Sequence, residues 1–418
     1  CNGCHFCISL LGFKAVVRQK CCKRSRNFDW FIMASQRSLW MLLCVCFFFI
    51  IVVSVNGNRK LSTKVFPCPP SNCTYNSSII WVKAEATDNS STIHYLWTMY
   101  PVPTIVVAYT TLRDVEVEVI WEKLINKSSR DSGLKFDRAV NYTFGFAMPK
   151  IYEYDDNDDN VDLNDNSYMV VHEFSESTNW EMDFDASAAQ AKFTANDSII
   201  FRFAASNSAD RESKLPHLKY TAESNRLSLA LDHMKNLTTN STRFALEINY
   251  VVEQGEKPDV TVVKQFDDEY TPAVFKTVYG KVGGKHGKAY SQWKPIAYTK
   301  AELGRKFQTK ASAGGVVSVS GSWNIGEVAL KNKCEIYGLN LSFGLTKDGF
   351  YQKHHYLTWS GVVGYGEPAT ESLSFLVILI ISIGLGLPLA IIIFGGTFVQ
   401  VRKRWKISQM NSSYGRIN

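Results

Sequence analysis

The longest apolar stretch of the chain lies near its C-terminus, at residues 373–399, which contain no charged side chain. An α-helix rises about 1.5 Å per residue, so about 20 apolar residues suffice to cross the hydrocarbon core of a bilayer. A basic cluster at residues 402–406 follows, and such clusters remain on the cytoplasmic side. The pattern predicts a transmembrane helix at 372–401, a cytosolic tail at 402–418 and a type I topology.

A second apolar run, at residues 39–55, follows the basic Arg37 and ends in small side chains. Secretory signal peptides have this order of features, so residues 33–57 are predicted to be one, with an uncleaved anchor as the alternative. Residues 1–32 are basic and cysteine-rich and precede the first methionine. We interpret them as translated upstream sequence rather than a zinc cluster. The luminal part then comprises residues 58–371.

Within the luminal part, hydrophobic and polar residues alternate with a period of two, which indicates half-buried antiparallel strands. Strands are predicted at residues 79–86, 104–110, 115–119, 168–174, 180–184, 199–204, 244–250, 316–320, 335–343 and 356–363. Only residues 227–235 suggest a helix. The pattern therefore predicts an all-β, sandwich-like ectodomain. Polar turn formers at residues 254–259 predict a seam between two packed subdomains.

The formal net charge of +7 arises mostly from the leader and the tail, so the luminal part is near balance and nothing indicates a nucleic-acid partner. Without the leader and signal peptide, the luminal cysteines are Cys68, Cys73 and Cys334. An oxidising compartment favours a disulfide. Cys68 with Cys73 is the simplest pairing, and the odd third thiol leaves the pairing open.

Acceptor triplets for N-linked glycans, Asn-X-Ser/Thr, are dense in the luminal part. Each predicts an exposed loop or strand edge. A disulfide that forms quickly at Cys73 would compete with modification of the preceding asparagine. The predicted glycosylation sites are Asn72, Asn76, Asn89, Asn126, Asn141, Asn196, Asn236, Asn240 and Asn340.

No catalytic residue, cofactor site or metal site is predicted. The acidic run at 155–166 resembles a calcium loop, but Leu163 stands where such a loop needs glycine and Met169 where it needs glutamate. The glycine-rich segment 283–288 lacks the hydroxyl of a phosphate-binding loop and is interpreted as a hairpin loop. Three histidines are interpreted as structural residues on strands: His172, His354 and His355.

The tail contains a tyrosine followed at the third position by a bulky apolar residue, Tyr414 and Ile417. Clathrin adaptors bind such peptides in extended form, with separate pockets for the two side chains. In the short cytosolic tail of a single-span glycoprotein, this pair predicts endolysosomal sorting.

Several stretches resemble the glycosylated lysosomal membrane protein family. They are His-Tyr-Leu-Trp at 94–97, FDDEYTPAVF at 266–275, QWKPIAYT at 292–299, LNLSFG at 339–344 and HYLTWSGVVGYGEP at 355–368. The resemblance implies a non-catalytic accessory subunit that stabilises and protects a lysosomal major-facilitator transporter of dipeptides. It implies a lysosomal membrane location, and it leaves open whether the luminal part forms a homodimer.

Two other classes of function compete with this one. A membrane-tethered lysosomal hydrolase would need carboxylates converging in a pocket, for which Asp267, Asp268 and Glu269 are the candidates; a turn between strands explains them more simply. A cell-surface adhesion or receptor module would need the tail motif to be inactive.

Overall fold

The computed structural model describes residues 58–71, 73, 77–155, 163, 167, 169–172, 174, 178–213, 217–238, 241–266, 274–283, 288–294, 296–298, 308–320, 324–331, 333–344, 347–369 and 375–414. All of them belong to one compact unit, Asn56–Asn418. The predicted upstream segment 1–32 and the predicted signal peptide 33–57 lie outside the described residues.

The first of two large sheets is antiparallel throughout. Its main order is β1-β2-β3-β4-β7-β16-β23; β8 follows β7 alongside β16, β9 pairs with β8, and β22 pairs with β23. The bounds are β1 Arg59–Pro67, β2 Ser78–Ala86, β3 Thr92–Thr98, β4 Thr104–Thr110, β7 Tyr142–Ala147, β8 Ile151–Asp155, β9 Val170–His172, β16 Thr242–Glu253, β22 Val317–Ser318 and β23 Cys334–Phe343.

The second sheet has the order β10-β11-β12-β15-β24-β19-β18-β17, with β20 following β19 alongside β24. Strand β21, Gln308–Ala313, pairs with both β20 and β23 and so joins the two sheets. The bounds are β10 Thr178–Phe184, β11 Ala188–Ala195, β12 Ile199–Ser206, β15 Ser224–Asp232, β17 Asp259–Phe266, β18 Val274–Gly283, β19 Lys288–Trp293, β20 Ile296–Tyr298 and β24 Tyr356–Tyr365.

The two sheets pack face to face around one large aromatic and aliphatic core. Trp97 of β3 contacts Phe203 of β12 with ring centroids 6.2 Å apart. The Tyr250 hydroxyl lies 2.7 Å from the Ser291 hydroxyl across the same interface. Burial of these side chains supplies the main driving force for folding, at about 25 cal/mol per Å² of apolar surface. The predicted all-β sandwich is confirmed, and every predicted strand range contains an observed strand.

The helix suggested at residues 227–235 is wrong, because this segment forms β15. Leu227, Leu229 and Leu231 are all buried in the core, and this period of two belongs to a strand. Pairing with β12 on one side and β24 on the other satisfies the backbone of β15. The tertiary context therefore overrides the helix propensity of leucine.

Strand β16 was predicted to be half-buried, but both of its faces are covered. Phe244 and Tyr250 point into the sandwich core, whereas Ala245, Glu247 and Asn249 are buried on the opposite face. Tyr152 and Tyr154 of β8 contribute to a small cluster over that second face. On that face the Glu247 carboxylate accepts from the Tyr152 hydroxyl at 2.6 Å and from Asn249 Nδ2 at 3.3 Å, which offsets the cost of burying its charge.

Residues 254–258 connect β16 to β17, and Asp259 is the first residue of β17. The main core includes Tyr250 and Val252 before this segment and Val278 and Val282 after it. Residues on both sides of the predicted seam therefore belong to the same hydrophobic core.

Among the described residues, two small hairpins and three short helices flank the sheets. The hairpin of β5, Val117–Val119, and β6, Leu134–Phe136, covers the outer face of the first sheet together with α1, Trp121–Ile125, and a 3-10 turn, Arg130–Ser132. The second hairpin pairs β13, Asp210–Arg211, with β14, Lys219–Tyr220. Helix α2, Ile325–Ala329, begins with a capping box of Asn324 and Glu327, and α3 spans Phe350–His354.

The C-terminal helix α4 extends from Phe375 to Tyr414. Residues Val377–Gln409 are long and apolar enough to cross a membrane, and this confirms the predicted span. Pro388 lies inside the helix, where its ring removes one backbone hydrogen bond. The helix continues through the basic cluster into the tail, further than the sequence pattern indicated.

Candidate functional site

Five of the glycan acceptors that the structure describes are exposed to solvent. Three of them have positive φ angles, a backbone conformation that asparagine adopts more readily than most residues: Asn89 at 66°, Asn196 at 52° and Asn236 at 58°. The other two exposed acceptors are Asn126 and Asn141. Three predicted acceptors, Asn72, Asn76 and Asn240, lie outside the described residues.

Four of the five exposed acceptors lie at the ends of the sandwich, and the fifth, Asn126, follows α1. Asn89 lies in the β2–β3 turn, and Asn141 donates its backbone N–H to the Tyr109 carbonyl at the end of β4. Both belong to the end at which β24 finishes. Asn196 lies in the β11–β12 turn and Asn236 follows β15, at the opposite end. Glycans on these residues would cover both ends of the ectodomain.

The side chains of two exposed acceptors make local hydrogen bonds through their oxygens. Asn126 Oδ1 accepts from the Ser128 backbone N–H at 3.1 Å and from the Ser128 hydroxyl at 2.8 Å. Asn141 Oδ1 accepts from the Thr111 backbone N–H at 2.9 Å. A glycan is attached to the nitrogen of the carboxamide, so these oxygen contacts are compatible with modification.

Asn340 differs from the exposed acceptors. It is half-buried within β23, between β16 and β21, rather than in a loop or at a strand edge. Its Nδ2 donates to the Leu163 carbonyl at 2.8 Å, and its own backbone carbonyl accepts from the Gly314 N–H at 2.8 Å. The expectation that every acceptor triplet marks an exposed loop or edge is therefore wrong for this residue.

The disulfide joins Cys68 to Cys73, as the simplest pairing predicted, with Cα atoms 6.0 Å apart. It closes the loop after β1 and packs on the small apolar cluster that contains Trp81 and Trp121. Cys334 is a free, half-buried thiol, and burial raises its pKa to about 11, with a further contribution from Glu327. A thiol with this pKa stays protonated at neutral and acidic pH and is a poor nucleophile.

Among the described residues of the first sheet, the closest acid–base pair joins β8 to β9. Glu153 Oε2 lies 2.7 Å from His172 Nε2, and the Glu153 side chain is fully buried. Its other oxygen accepts from the Thr238 backbone N–H at 2.8 Å and the Thr242 hydroxyl at 3.1 Å. Burial alone would raise the pKa of Glu153, but the bonds from His172, Thr238 and Thr242 together lower it. The carboxylate thus links β8 to β9, to the turn at Thr238 and to the start of β16.

Other histidines among the described residues also make structural contacts. His94 accepts at Nδ1 from the Trp81 indole N–H at 3.1 Å, and burial, together with Lys83, lowers its pKa to about 4. His94 is therefore neutral at pH 5. His354 and His355 lie at the C-terminal end of α3, not on strands as predicted, and His355 stacks on His233 at 5.8 Å.

Within the described residues, no group of three or more histidine, cysteine, aspartate or glutamate side chains could hold a metal ion. The candidate carboxylates at 267–269 and most of the acidic run lie outside those residues. The glycine-rich segment connects β18 to β19, whose ends pair at Gly283 and Lys288, which agrees with the predicted hairpin.

An ion-paired glutamate lies just after the last strand. Glu367 accepts from Lys288 at 3.0 Å and lies 3.6 Å from Lys281, and the hydrogen bond from Lys288 is the main cause that lowers its pKa. The backbone N–H of Gly366 donates to the Lys288 carbonyl at 2.8 Å. Because α4 begins at Phe375, these bonds fix the chain to the second sheet shortly before it reaches the membrane.

The cytosolic end of α4 contains the first residue of the predicted sorting motif. Tyr414 is the last residue of the helix, and Ile417 lies outside the described residues. Recognition in an extended form would require the last helical turn to unwind.

Comparison with known proteins gives a consistent result across most of the chain. The family model described as glycosylated lysosomal membrane protein matches residues 79–406. Glycosylated lysosomal membrane protein A of Xenopus laevis is 31% identical, over 82% of this chain and 90% of the relative. The Danio rerio protein is 29% identical over 86% and 92%, and the Homo sapiens protein 25% over 78% and 85%.

Proposed function

Because the chain belongs to the glycosylated lysosomal membrane protein family, we propose that it is the accessory subunit of a lysosomal transporter. The protein is a single-pass lysosomal membrane glycoprotein with a large ectodomain. The proposed partner is a major-facilitator transporter of dipeptides, which the subunit stabilises and protects from luminal proteases. The choice of this partner rests on the family resemblance alone.

The observation that carries this proposal is the distribution of exposed acceptors over both ends of a sandwich held by one span. In a folded sheet the backbone of the strands is paired and is not available to a protease, and glycans on the turns would block the exposed segments that remain. A protein of this kind can shelter a membrane partner without performing a reaction. Asn89 and Asn141 lie at the end closest in sequence to the membrane helix, where a partner in the membrane would be covered.

The proposed absence of catalysis rests on the chemistry of the described side chains. Cys334 is protonated, and His94 is neutral and buried. The Glu153 carboxylate, which is paired with His172, already accepts hydrogen bonds from Thr238 and Thr242. A nucleophile requires a partnered base and an accessible reacting atom. None of these groups combines the two.

Affinity purification of the tagged full-length protein from lysosomal membranes in mild detergent tests the partnership. Mass spectrometry should find one multi-span transporter at near-equal amount. Loss of the protein should shorten the lifetime of that transporter, and a variant with Gln at the five exposed acceptors should bind it but protect it less. An unchanged transporter half-life, or no stoichiometric partner, would contradict the proposal and favour the hydrolase or receptor classes.

The sorting part of the proposal concerns the tail. A clathrin adaptor is proposed to bind Tyr414 and Ile417 and to direct the protein to lysosomes. The tail emerges directly from α4, so the motif is close to the cytosolic membrane surface, where adaptors assemble.

A further inference from the structure

We propose that Asn340 carries no glycan in the folded protein, although it begins an acceptor triplet, and that its carboxamide instead holds Leu163 against the first sheet. A glycan replaces one hydrogen of Nδ2 and adds a bulky group to that nitrogen. In this structure the same nitrogen donates to the Leu163 carbonyl at 2.8 Å.

The surroundings of Asn340 leave little room for a sugar. The residue is half-buried in β23, where it pairs with Glu247 of β16. A Cβ atom placed on Gly314 would lie only 3.1 Å from Leu163, so the chain just after β21 is already closely packed against Leu163. A glycosylated Nδ2 keeps one N–H, so the obstacle to a sugar here is the space taken up by Leu163 and the neighbouring strands rather than the loss of the donor.

The hydroxyl of the triplet does not distinguish Asn340 from the other acceptors. Ser342 is buried and its hydroxyl contacts that of Tyr154, but Ser198 in the Asn196 triplet is equally buried and donates to the His233 carbonyl. Oligosaccharides are added before the chain folds, so a hydroxyl that becomes buried later is no obstacle. A sugar, by contrast, stays on Nδ2, so a chain modified at Asn340 would have to accommodate it within the first sheet in order to fold. The difference lies in the asparagines themselves, since Asn196 is exposed and Asn340 is not.

The contact also has a structural function. Leu163 is part of the small cluster with Tyr152, Tyr154 and Met169 over the outer face of β8 and β16. A hydrogen bond from Asn340 to the Leu163 carbonyl holds Leu163 on this cluster. The carboxamide thereby joins two parts of the chain that are 177 residues apart.

Site-specific occupancy in the mature, full-length protein tests this proposal directly. Enzymatic release of glycans in heavy-oxygen water labels each occupied asparagine, and peptide mass spectrometry then reads each site. Asn196 should be labelled in most molecules and Asn340 in almost none. Labelling of Asn340 in a large fraction of the lysosomal protein would overturn the proposal.

A pair of matched variants tests the structural function. Asn196→Gln should increase electrophoretic mobility by one glycan and leave Tm unchanged. Asn340→Gln should leave mobility unchanged, lower Tm by about 2–4 °C and speed proteolysis near Leu163. A mobility increase for Asn340→Gln, or an unchanged Tm and cleavage rate, would contradict the proposed role. If that variant fails to fold, the occupancy measurement on the wild-type protein still decides whether the site is bare.

Discussion

Tyr109 of β4 stacks on Tyr365 of β24, with ring centroids 4.0 Å apart and planes inclined by 6°. The two rings join the first sheet to the second at the end from which the chain continues to the membrane. Asn141 and Glu367 flank this contact, the former through its bond to Tyr109 and the latter two residues beyond Tyr365. The stack is therefore the point where a sheet contact, a glycan acceptor and the membrane connection meet.

A double-mutant cycle should detect this stack. We expect Tyr109→Leu and Tyr365→Leu to show a coupling free energy of about 0.5–1.5 kcal/mol, as for other aromatic pairs. Urea unfolding of the purified luminal domain measures it. Tyr356, at the other end of β24, provides the control: Tyr109→Leu with Tyr356→Leu should be additive within about 0.5 kcal/mol. Equal coupling in both cycles would refute a specific stacking contribution.

Glu153→Gln should lower the free energy of unfolding by about 2–3 kcal/mol at pH 7, since a buried carboxylate loses charge-assisted hydrogen bonds. The pKa of Glu153 is lowered below 4.5 in the folded protein. The contribution is therefore fully present above about pH 4.5 and disappears as the pH falls through the folded value. Urea unfolding of both proteins between pH 3 and pH 7 measures the difference.

The control for this prediction is Glu181→Gln, which removes an exposed pair with Lys192 at 3.5 Å. Such pairs contribute little, so we expect a change below about 0.5 kcal/mol at every pH. A Glu153→Gln difference that grows at acidic pH would mean that the sign of the pKa shift is wrong.

Removal of the disulfide should affect both stability and modification. In the chain-entropy model, a disulfide that closes so short a loop contributes about 2 kcal/mol. The double variant Cys68→Ser, Cys73→Ser should therefore lower the free energy of unfolding by about that amount. The change leaves the acceptor triplet at Asn72 intact. Glycopeptide mass spectrometry should show higher occupancy of Asn72 in the variant, because no disulfide competes. Unchanged occupancy would show that bond formation does not limit this site.

Tyr414→Ala or Ile417→Ala should move the protein from lysosomes to the cell surface, because each removes one side chain that an adaptor pocket binds. Surface biotinylation measures the change, which we expect to be several-fold. Gln409→Ala, in the same tail, is the matched control and should have no effect. Wild-type protein already abundant at the surface would instead favour the adhesion or receptor hypothesis.

The sequence predicted those parts of the fold that leave a local pattern. The uninterrupted apolar run before Arg402 predicts the membrane helix, and the alternation of hydrophobic and polar residues predicts strands such as β10 and β12. Strands such as β3 and β7 were not predicted, because every residue in both is buried and no alternation remains. The leucines of β15 illustrate the opposite difficulty, since a short leucine-rich run fits either period until its neighbours are known.

The candidate sites show the same limit. The Cys68–Cys73 pair and the exposed acceptors are visible as short motifs. The hydrogen-bonded pair of Glu153 and His172 was not predicted, because β9 and the Thr238 turn come together only in the folded sheet. Asn340 reads as an ordinary acceptor, and only its contact with Leu163 reveals a different environment.

Strand β24 lies in the middle of the second sheet, between β15 on one side and β19 and β20 on the other, and is the last strand of the chain. The sheet therefore lacks its centre until residue 365 has been synthesised and translocated. Because α4 begins at Phe375, ectodomain folding must finish while the chain is already held at the membrane. A prematurely terminated chain would be released with an open sheet and exposed strand edges, a form that quality control in the secretory pathway recognises.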